Sequence, residues 1–573
     1  MCKSLNVQLL NKNGLVLDCK YPIKKVRDLI IKGNIIAVKG LGGFHIACDG
    51  KNEKAIEKLR IRKNRPTKPL ALMMRDINTV NKYCKLNKLE RNILCSDEKP
   101  ILLLNKRIES LPKNIAPNND KLGVMLPYTN IHKELFCEDL EVLIMTSGNI
   151  SGMPIFYKDE EAFNGLNNIV DYFVIHNEPI KISVDDSILR ISLNEKRVIR
   201  MGRGYSPLTI DFNGKQGILA CGSHFKNSIG ISKDNKIIVS HHIGDLNNLE
   251  TLNRFKYTVD YFKKTYNINS KLIAKDIHPQ YGYFSYLEKE NLIKIDVQHH
   301  HAHIVSCMFE NNVQDKVIGI AYDGVGYGMD KNIWGGEFFI CDYKNFERVG
   351  HLNYVEMPGG DGASREPWKM CISYMYKAYK ENVYELIPKH FKGKNIDIIL
   401  KMIKNNINCP RCSSMGRLFD AVSALLGYIY KITFEGEAAI LLENMADEKE
   451  ESSYNYNIEF TEKKYLINTD NIFKEILEDI NNNLDKSIIA KKFHNTIINF
   501  SVEICLILRE KYNINKIVLS GGVFQNEILL KGIYEKLKKY GFNVYTHKLL
   551  PCNDSGICVV GQLVIASEIL GGG

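Results

Sequence analysis

The chain has 573 residues, which is too long for one hydrophobic core, so we expect two or more domains. Hydrophobic residues make up 45% of it, and no apolar run approaches the ~18 residues that cross a bilayer, which argues against a membrane protein. The N-terminal stretch lacks the apolar core of a secretory signal, and the 15 cysteines are scattered, so we expect a cytoplasmic protein with reduced thiols. The net charge of +11 is spread without a basic stripe, which favours anionic ligands and makes nucleic acid an unlikely partner.

The first part of the chain, residues 23–208, has the pattern of an α/β domain. Strand-like runs (IIAVKG, PLALMM, ILLLN, VLIMTSGN) alternate with amphipathic stretches such as NEKAIEKLRIRKN. Lys63, Arg65 and Lys68 place three cations within six residues, which suits a triphosphate but is also typical of a solvated charged loop.

The second part, residues 216–573, also predicts an α/β fold. Apolar strands end in loops rich in glycine and aspartate, as in VIGIAYDGVGYGMD and KIVLSGGVFQN. Such loops present backbone N–H groups to phosphate, so this region is predicted to handle a nucleotide as well.

Four of the chain's 15 histidines lie in the five positions from 299 to 303, in DVQHHHAH. On a helix, His299 and His303 share a face and can bind one ion, whereas His300 and His301 project elsewhere and shape the surrounding pocket or surface. Asp323 and Asp554, expected at strand ends or in loops, would complete a set of two histidines and two aspartates. Such mixed ligands suit zinc, iron or manganese. The alternative is a surface cluster with adventitious metal affinity.

Longer segments carry a family resemblance. QHHHAHIVSCMFEN, AYDGVGYG, PGGDGASREPWKM, SSMGRLFDAVSALLG, FEGEAA, SGGVFQN and CNDSG resemble the C-terminal region of the HypF carbamoyltransferases of [NiFe]-hydrogenase maturation. KGLGGFHIACD, LRIRKNRPTKPLALM, LGVMLPYTNIHKELF, MTSGNISGMPI, SVDDSILR and RMGRGYSP resemble the YrdC-like domain of the same family. The resemblance runs in the same order from about residue 30. It implies a YrdC-like domain followed by a two-lobed ASKHA-type transferase domain.

By this resemblance, the first domain uses ATP and a magnesium ion to form carbamoyl-adenylate and pyrophosphate, with carbamoyl phosphate or carbamate as the source. Lys63 and Arg65 would be catalytic. The residues that the resemblance assigns to the nucleotide are Lys63, Arg65, Lys68, Ser147, Asn149, Arg200 and Arg203 in the first domain, and Gly416, Asp420, Gly521, Gly522 and Asn526 in the second. Without the resemblance, these motifs also fit polar turns, surface charge and strand-to-helix connections.

The resemblance further assigns a zinc or iron ion to His299, His303, Asp323 and Asp554, with the two histidines taking part in catalysis. The attacking thiolate would belong to the C-terminal cysteine of a partner, HypE, so no cysteine of this chain is needed as nucleophile.

Three departures from the family pattern are visible. An acylphosphatase domain and paired zinc fingers usually come first in HypF proteins, and only the lead of residues 1–22 stands there, with MCKSLNVQLL as a candidate finger remnant. The chain is then either truncated or supplied by a separate acylphosphatase. Ser555 replaces a more usual glycine. Cys409 and Cys412 have the spacing of a metal knuckle, but we interpret this single pair as loop variation.

Three other functions remain as alternatives. A tRNA threonylcarbamoylation enzyme would use the same domain types, but its motifs differ. A small-molecule O-carbamoyltransferase would carry the two domains in reverse order. A non-enzymatic scaffold that binds HypE would not need the nucleotide and metal residues.

Overall fold

The structure is a computed structural model that describes residues 6–107, 111–283, 287 and 292–571. Its described residues form three β-sheets with helices packed on them, which confirms the α/β class. Within the same residues, no helix has both the length and the apolar character needed to span a bilayer.

The first domain is built on a mixed sheet of ten described strands in the order β1-β8-β2-β3-β7-β4-β6-β5-β9-β10. Its centre is buried on both faces, which is why runs such as IAVK read as continuously apolar. The strands are β1 (Val7–Asn11), β2 (Ile36–Lys39), β3 (Phe44–Asp49), β4 (Leu72–Met74), β5 (Ile101–Asn105), β6 (Lys121–Met125), β7 (Val142–Ser147), β8 (Tyr172–His176), β9 (Ile188–Ser192) and β10 (Glu195–Arg200). The helices are α1 (Pro22–Ile31), α2 (Glu53–Lys63), α3 (Ile77–Tyr83), α4 (Lys88–Cys95), α5 (Asn130–Glu134) and α6 (Asp159–Leu166).

The domain starts earlier than the predicted boundary at residue 23. Strand β1 pairs antiparallel with β8, from Val7 opposite His176 to Asn11 opposite Tyr172. Leu9 and Leu10 are buried by this pairing. Part of the segment that we interpreted as a lead is therefore an edge strand, and its short apolar pattern did not identify it as such.

The second domain has two lobes, each with its own sheet. The sheet of the first lobe has the order β11-β14-β13-β12-β15-β16, and the main path of the other is β22-β23-β19-β18-β17-β24-β25. The strands of the first lobe are β11 (Leu208–Asp211), β12 (Ile218–Ala220), β13 (Gly230–Lys233), β14 (Lys236–Val239), β15 (Leu272–Asp276) and β16 (Ile293–Val297). Those of the second lobe are β17 (Val317–Tyr327), β18 (Ile333–Cys341), β19 (Phe346–Leu352), β20 (Val355–Glu356), β21 (Arg411–Cys412), β22 (Asn457–Thr461), β23 (Lys464–Asn468), β24 (Lys516–Ser520) and β25 (Asn543–Thr546).

Strand β11 begins eight positions before the predicted start of this domain at residue 216, because it pairs with β14. The described helices of this domain are α7 (Leu249–Thr265), α8 (His299–Glu310), α9 (Asp361–Arg365), α10 (Pro367–Tyr379), α11 (Val383–Leu386), α12 (Ile396–Lys404), α13 (Met415–Leu425), α14 (Glu437–Met445), α15 (Asp470–Asn481), α16 (Lys486–Tyr512), α17 (Glu527–Lys539) and α18 (Ile557–Ile569).

Strands β9 and β10 form part of the interface between the two domains. The Arg197 side chain donates to Thr546 Oγ1 at 3.0 Å, and the Val198 N–H donates to the carbonyl of Lys548 at 3.0 Å. Arg190 donates to the carbonyl of Gln525 at 2.5 Å. Since buried arginines satisfy backbone carbonyls across the boundary, the two domains form one continuous hydrogen-bonded body.

The histidine segment lies on α8, which packs closely on α18. The helix begins immediately after β16, and the side chain of Gln298 caps it by accepting from the His301 N–H. At Gly561 on α18, a Cβ atom would stand 2.0 Å from the carbonyl oxygen of Ala302. Only glycine allows this approach, which fixes the distance of the histidines from the C-terminal helix.

We expect Gly561→Ala to destabilise the protein. Alanine gains about 1 kcal/mol of helix propensity, but overpacking against a backbone carbonyl costs about 1–3 kcal/mol or more. Thermal unfolding followed by circular dichroism should show a Tm several degrees lower than wild type. Gly362→Ala on α9 is the control, because its Cβ would meet only Lys369 Nζ, at 4.0 Å. Equal Tm values for the two variants would contradict this packing argument.

Candidate active site

Four predicted ligands converge in the second domain. One donor atom from each of His299, His303, Asp323 and Asp554 lies within 4.8 Å of all the others, and all four residues are buried. His299 Nε2 is 3.3 Å from Asp323 Oδ2 and 3.2 Å from His303 Nε2. His303 Nε2 is 3.2 Å from Asp554 Oδ1. The helical i, i+4 spacing and two distant carboxylates thus form one compact cluster.

These four residues fit a divalent metal ion. Bonds of ~2.0 Å to a tetrahedral ion separate neighbouring donors by about 3.3 Å, and the nitrogen–oxygen separations in the cluster run from 3.2 to 3.7 Å. Burial alone would raise the pKa of Asp554, but His299 and His303 hold it well below its usual range. The imidazole nitrogens and the carboxylate oxygens of this cluster therefore suit zinc or iron.

A further carboxylate orients the first histidine. Asp276 Oδ2 lies 2.8 Å from His299 Nδ1, and neither side chain is exposed. Asp276 is the last residue of β15, which runs parallel to β16. In this pairing Asp276 lies opposite Val297, two positions before His299. Sequence reasoning missed this residue, although an aspartate at the end of an apolar strand beside the histidine segment was an available signal.

One detail of the cluster differs from the prediction. Asp323 does not end a strand, because β17 continues to Tyr327, with a register shift between Tyr322 and Gly326. His300 and His301 are buried, which agrees with the predicted place in the surrounding pocket and excludes the surface alternative. His301 Nε2 is 2.8 Å from the carbonyl of Asp342, which makes it a structural contact.

In the first domain, Lys63 meets the TSGN motif. Its ammonium donates to the carbonyl of Ser147 and, at 2.9 Å, to Asn149 Oδ1. Ser147 Oγ also donates to Asn149 Oδ1, at 2.8 Å. Burial, followed by the charges of Arg65 and Lys68, holds the pKa of Lys63 well below its usual range. An anionic ligand would stabilise the charged form of a buried lysine of this kind.

Arg65, Lys68 and Arg200 face one another, but Arg203 does not join them. Loss of solvent, followed by the charges of Arg65 and Arg200, lowers the pKa of Lys68 to about 8. Arg203 is instead committed to the protein: it donates to Asp186 at 2.7 Å and to the Glu98 carbonyl at 2.7 Å. Its guanidinium also stacks on Tyr128 at 3.5 Å. These contacts hold the guanidinium of Arg203 in place, and its predicted contact with phosphate stays a prediction.

The predicted glycines of the second domain surround Asp323. The Gly522 N–H donates to Asp323 Oδ1 at 3.0 Å. Gly521 has φ +108°, and a Cβ there would stand 2.1 Å from the carbonyl oxygen of Tyr322. Gly416, in the first turn of α13, would place a Cβ 2.9 Å from Gly324 Cα. A Cβ atom at Gly521 or Gly416 would meet the backbone, and one at Gly522 would stand 2.9 Å from Asp323 Oδ1, so little room is left for side chains at these positions.

Asp420 and Asn526 have structural partners. Asp420 Oδ2 is 2.8 Å from Arg417 Nε, and burial raises the pKa of Asp420 to about 6. Asn526 caps α17 by accepting from the Leu529 N–H, while its Nδ2 lies 2.9 Å from His494 Nε2. The side chain of Asn526 thus has a protein partner at both ends, and its predicted nucleotide contact stays a prediction.

The two clusters meet at the domain boundary through residues that the sequence analysis did not select. The His242 N–H donates to the carbonyl of Met201, next to Arg200. His242 Nδ1 is 3.3 Å from Ser555 Oγ, next to Asp554. Ser555, the departure from the family pattern, therefore bonds the residue that links both sites.

A segment of the second lobe, residues 433–437, also reaches this boundary. It ends at the first residue of α14, and we name it the junction loop. Thr67 of the first domain, adjacent to Lys68, contacts the hydroxyl of Thr433 at 2.5 Å and donates to Glu437. The loop thus connects the cationic segment of the first domain with α14.

Cys409 and Cys412 make separate local contacts. Cys409 Sγ is 3.3 Å from the carbonyl of Ile407, and Cys412 Sγ accepts from the Ser414 N–H at 3.3 Å. Over the described ranges of the chain, the cluster on α8 is the one group of metal-ligating side chains found. The interpretation of the cysteine pair as loop variation agrees with these contacts.

We expect Asp276→Asn to weaken metal binding about 10- to 100-fold, because an amide orients a ligating imidazole less effectively than a carboxylate does. Equilibrium dialysis with zinc, followed by elemental analysis, measures the affinity. Asp296→Asn is the control, since that residue lies on the neighbouring strand β16 and its side chain is 63% exposed. An unchanged affinity in Asp276→Asn would show that the contact to His299 does not support the cluster.

Comparison with known proteins agrees with this arrangement. The family model described as "Telomere recombination" (Sua5, YciO, YrdC) matches residues 28–202, "HypF Kae1-like domain" matches residues 213–310, and "Carbamoyltransferase, Kae1-like Domain, second subdomain" matches residues 319–562. Carbamoyltransferase HypF of Synechocystis is 37% identical over 97% of this chain and 74% of its own length. Probable carbamoyltransferase HypF of Methanocaldococcus jannaschii is 34% identical over 96% and 73%.

A crystal structure of full-length HypF in a phosphate- and nucleotide-bound form is 41% identical, with a TM-score of 0.93 over 99% of this chain and 74% of that one. The fold prediction is thereby confirmed: a YrdC-like domain precedes a Kae1-like transferase domain. The chain belongs to the HypF carbamoyltransferase family.

Proposed function

We propose that the chain forms carbamoyl-adenylate from ATP and carbamate in its first domain and transfers the carbamoyl group to a thiol in its second. The observation that carries the proposal is the shared boundary of the two clusters, where His242 touches both Met201 and Ser555. When two sites are held together in one body, an activated intermediate has a short path between them and less chance of being hydrolysed.

In the first step, a carbamate oxygen attacks the α-phosphorus of ATP and pyrophosphate leaves. Lys63, Arg65, Lys68 and Arg200 supply positive charge where the negative charge of the phosphates accumulates. Among the described carboxylates near this cluster, Asp185 pairs with Arg254 and Asp186 pairs with His45. Magnesium would therefore enter with ATP, bound to its phosphates.

In the second step, a thiolate attacks the carbamoyl carbon and AMP leaves. A zinc or iron ion held by His299, His303, Asp323 and Asp554 would supply Lewis acidity at this site. Asp276 holds the His299 ring in its ligating orientation, and the N–H of Gly522 holds Asp323. We propose the C-terminal cysteine of HypE as the acceptor.

The related HypF crystal structure, described as phosphate- and nucleotide-bound, supports a nucleotide as ligand of this family. For the carbamate we propose carbamoyl phosphate as the source, with a separate acylphosphatase as a candidate supplier.

The first test is pyrophosphate release from ATP, supplied with carbamoyl phosphate or with bicarbonate and ammonia. We expect carbamate-dependent release that falls at least 100-fold in Lys63→Ala and is retained in His303→Ala, because only Lys63 belongs to the adenylation cluster. Lys54→Ala, on the exposed face of the same helix, is the matched control. If wild type releases no pyrophosphate from either source, the adenylation proposal is wrong for this chain.

The second test concerns the acceptor. With a carbamate source and ATP, we expect mass spectrometry to detect a gain of one carbamoyl group on a HypE protein that ends in cysteine. A HypE variant with a C-terminal Cys→Ser change should gain nothing, since the hydroxyl is a far weaker nucleophile. His303→Ala should release pyrophosphate and yet leave HypE unmodified. If His303→Ala modified HypE at the wild-type rate, the cluster on α8 would not be needed for the transfer step.

A further inference from the structure

An ion pair connects the two lobes of the transferase domain at the domain boundary. Lys226 follows β12 in the first lobe, and Glu435 lies in the junction loop of the second lobe. Lys226 Nζ is 2.6 Å from Glu435 Oε1 and 2.5 Å from Oε2, so one carboxylate occupies the ammonium with both oxygens. Glu435 lies in the FEGEAA segment quoted above, but neither the resemblance nor the adenylation chemistry gives a role to this residue or to Lys226.

The backbone of Lys226 is held in an unfavourable conformation. Its φ of +45° lies in the left-handed region, which costs a residue with a side chain about 1 kcal/mol or more. The Lys226 N–H donates to Asp245 Oδ1 at 2.8 Å. The next residue, Asn227, donates from Nδ2 to the carbonyls of Cys221 and Ser223. These hydrogen bonds hold the backbone of Lys226 in its strained conformation, which is typical of a functional position.

The position lies between the two clusters. The chain segment that supplies Asp245 also supplies His242, which contacts Ser555 beside Asp554. Burial alone would lower the pKa of Lys226, but Glu435, Asp554 and Asp245 raise it well above its usual range. The charge of Glu435 also raises the pKa of Lys68 in the first domain. One glutamate therefore acts on cations of both domains.

The exposure of the pair indicates how it can respond to a ligand. Glu435 is 62% exposed and Lys226 only 27%. The carboxylate can therefore swing into solvent at little cost, whereas the lysine side chain is mostly buried and has less freedom to move away. A phosphate is a stronger partner for this ammonium than an exposed carboxylate, because it carries more charge and more acceptor oxygens.

We propose that Glu435 is a placeholder that occupies Lys226 in the ligand-free protein, and that the phosphate of an adenylate nucleotide displaces it and binds Lys226 beside the His299/His303 cluster. This inference deepens the proposed function and rests on it for the identity of the nucleotide. The return of Glu435 to Lys226 then favours the departure of AMP after transfer. No covalent bond changes in this exchange.

The proposal predicts opposite effects for the two partners of one ion pair. Lys226→Met removes the phosphate contact and should weaken AMP binding about 10- to 100-fold. Glu435→Gln removes the competing charge and should tighten AMP binding about three- to tenfold. If the ion pair only holds the two lobes together, both variants should lose affinity for AMP or show no change.

The experiment is isothermal titration of the full chain with AMP, in a Lys63→Ala background that weakens the nucleotide site of the first domain. The matched control is the ion pair of Lys404 with Glu381, at 2.6 Å and with side chains 33% and 64% exposed, far along the chain on α12. Lys404→Met and Glu381→Gln should leave AMP affinity unchanged. Lys226→Arg should recover most of the binding, and thermal unfolding checks that every variant is folded.

Weaker binding in Lys226→Met together with tighter binding in Glu435→Gln supports the placeholder. Effects of the same sign, an unchanged affinity in Glu435→Gln, or no AMP binding in the Lys63→Ala background overturns it. AMP binding needs neither carbamate nor an acceptor. Opposite signs without any pyrophosphate release would therefore sink the proposed function alone, and normal transfer with effects of the same sign would sink the placeholder alone.

Discussion

The cluster on α8 depends on one constraint: four donor atoms from three distant parts of the chain must stay within 4.8 Å of one another inside a buried core. Two histidines come from one helix turn, and the carboxylates come from β17 and from the loop before α18. A Cβ atom would meet the backbone of Ala302 at Gly561, the side chains of His299 and His300 at Gly326, and Asp323 Oδ1 at Gly522, so the surrounding elements hold one arrangement. Because buried charges are costly unless they are paired, the rest of the transferase domain has to supply partners such as Asp276.

The boundary between the domains follows a related electrostatic rule. Burial, followed by the positive charges of neighbouring cations, lowers the pKa values of Lys63 and Lys68, which lie near Arg65. Carboxylates from the second domain offset part of this effect, since Asp245 and Glu435 act on Lys68 in the opposite direction. Neither domain alone contains this balance. The interface made by Arg190 and Arg197 is therefore part of the site as well as a structural contact.

Much of the site could be predicted from the sequence because its signals are local. The i, i+4 histidines, the strand that ends at Ser147 and the helix that starts near Gly416 each follow from periodicity and motif. The protein contacts of Arg203 and Asn526 could not be predicted, because a motif does not reveal that Tyr128 or His494 lies against the side chain. His242, Lys226 and Asp276 lay outside any motif that was weighed. Their importance comes from tertiary contacts with residues up to 313 positions away. The same reason hid β1, whose partner strand is β8.

The charge balance at the boundary also bears on how ligands bind there. In the ligand-free protein, carboxylates separate the cations of the two domains, so the site is already partly neutralised before a nucleotide arrives. Binding then exchanges one anion for another and does not simply add negative charge to bare cations. Such an exchange limits affinity, because each displaced carboxylate must be re-solvated or find a new partner. It also limits how tightly the product is held. For the proposed enzyme, which passes an intermediate between two sites, moderate affinity at each is more useful than maximal affinity at either, since binding energy that is equal for the substrate and the transition state gives no gain in turnover.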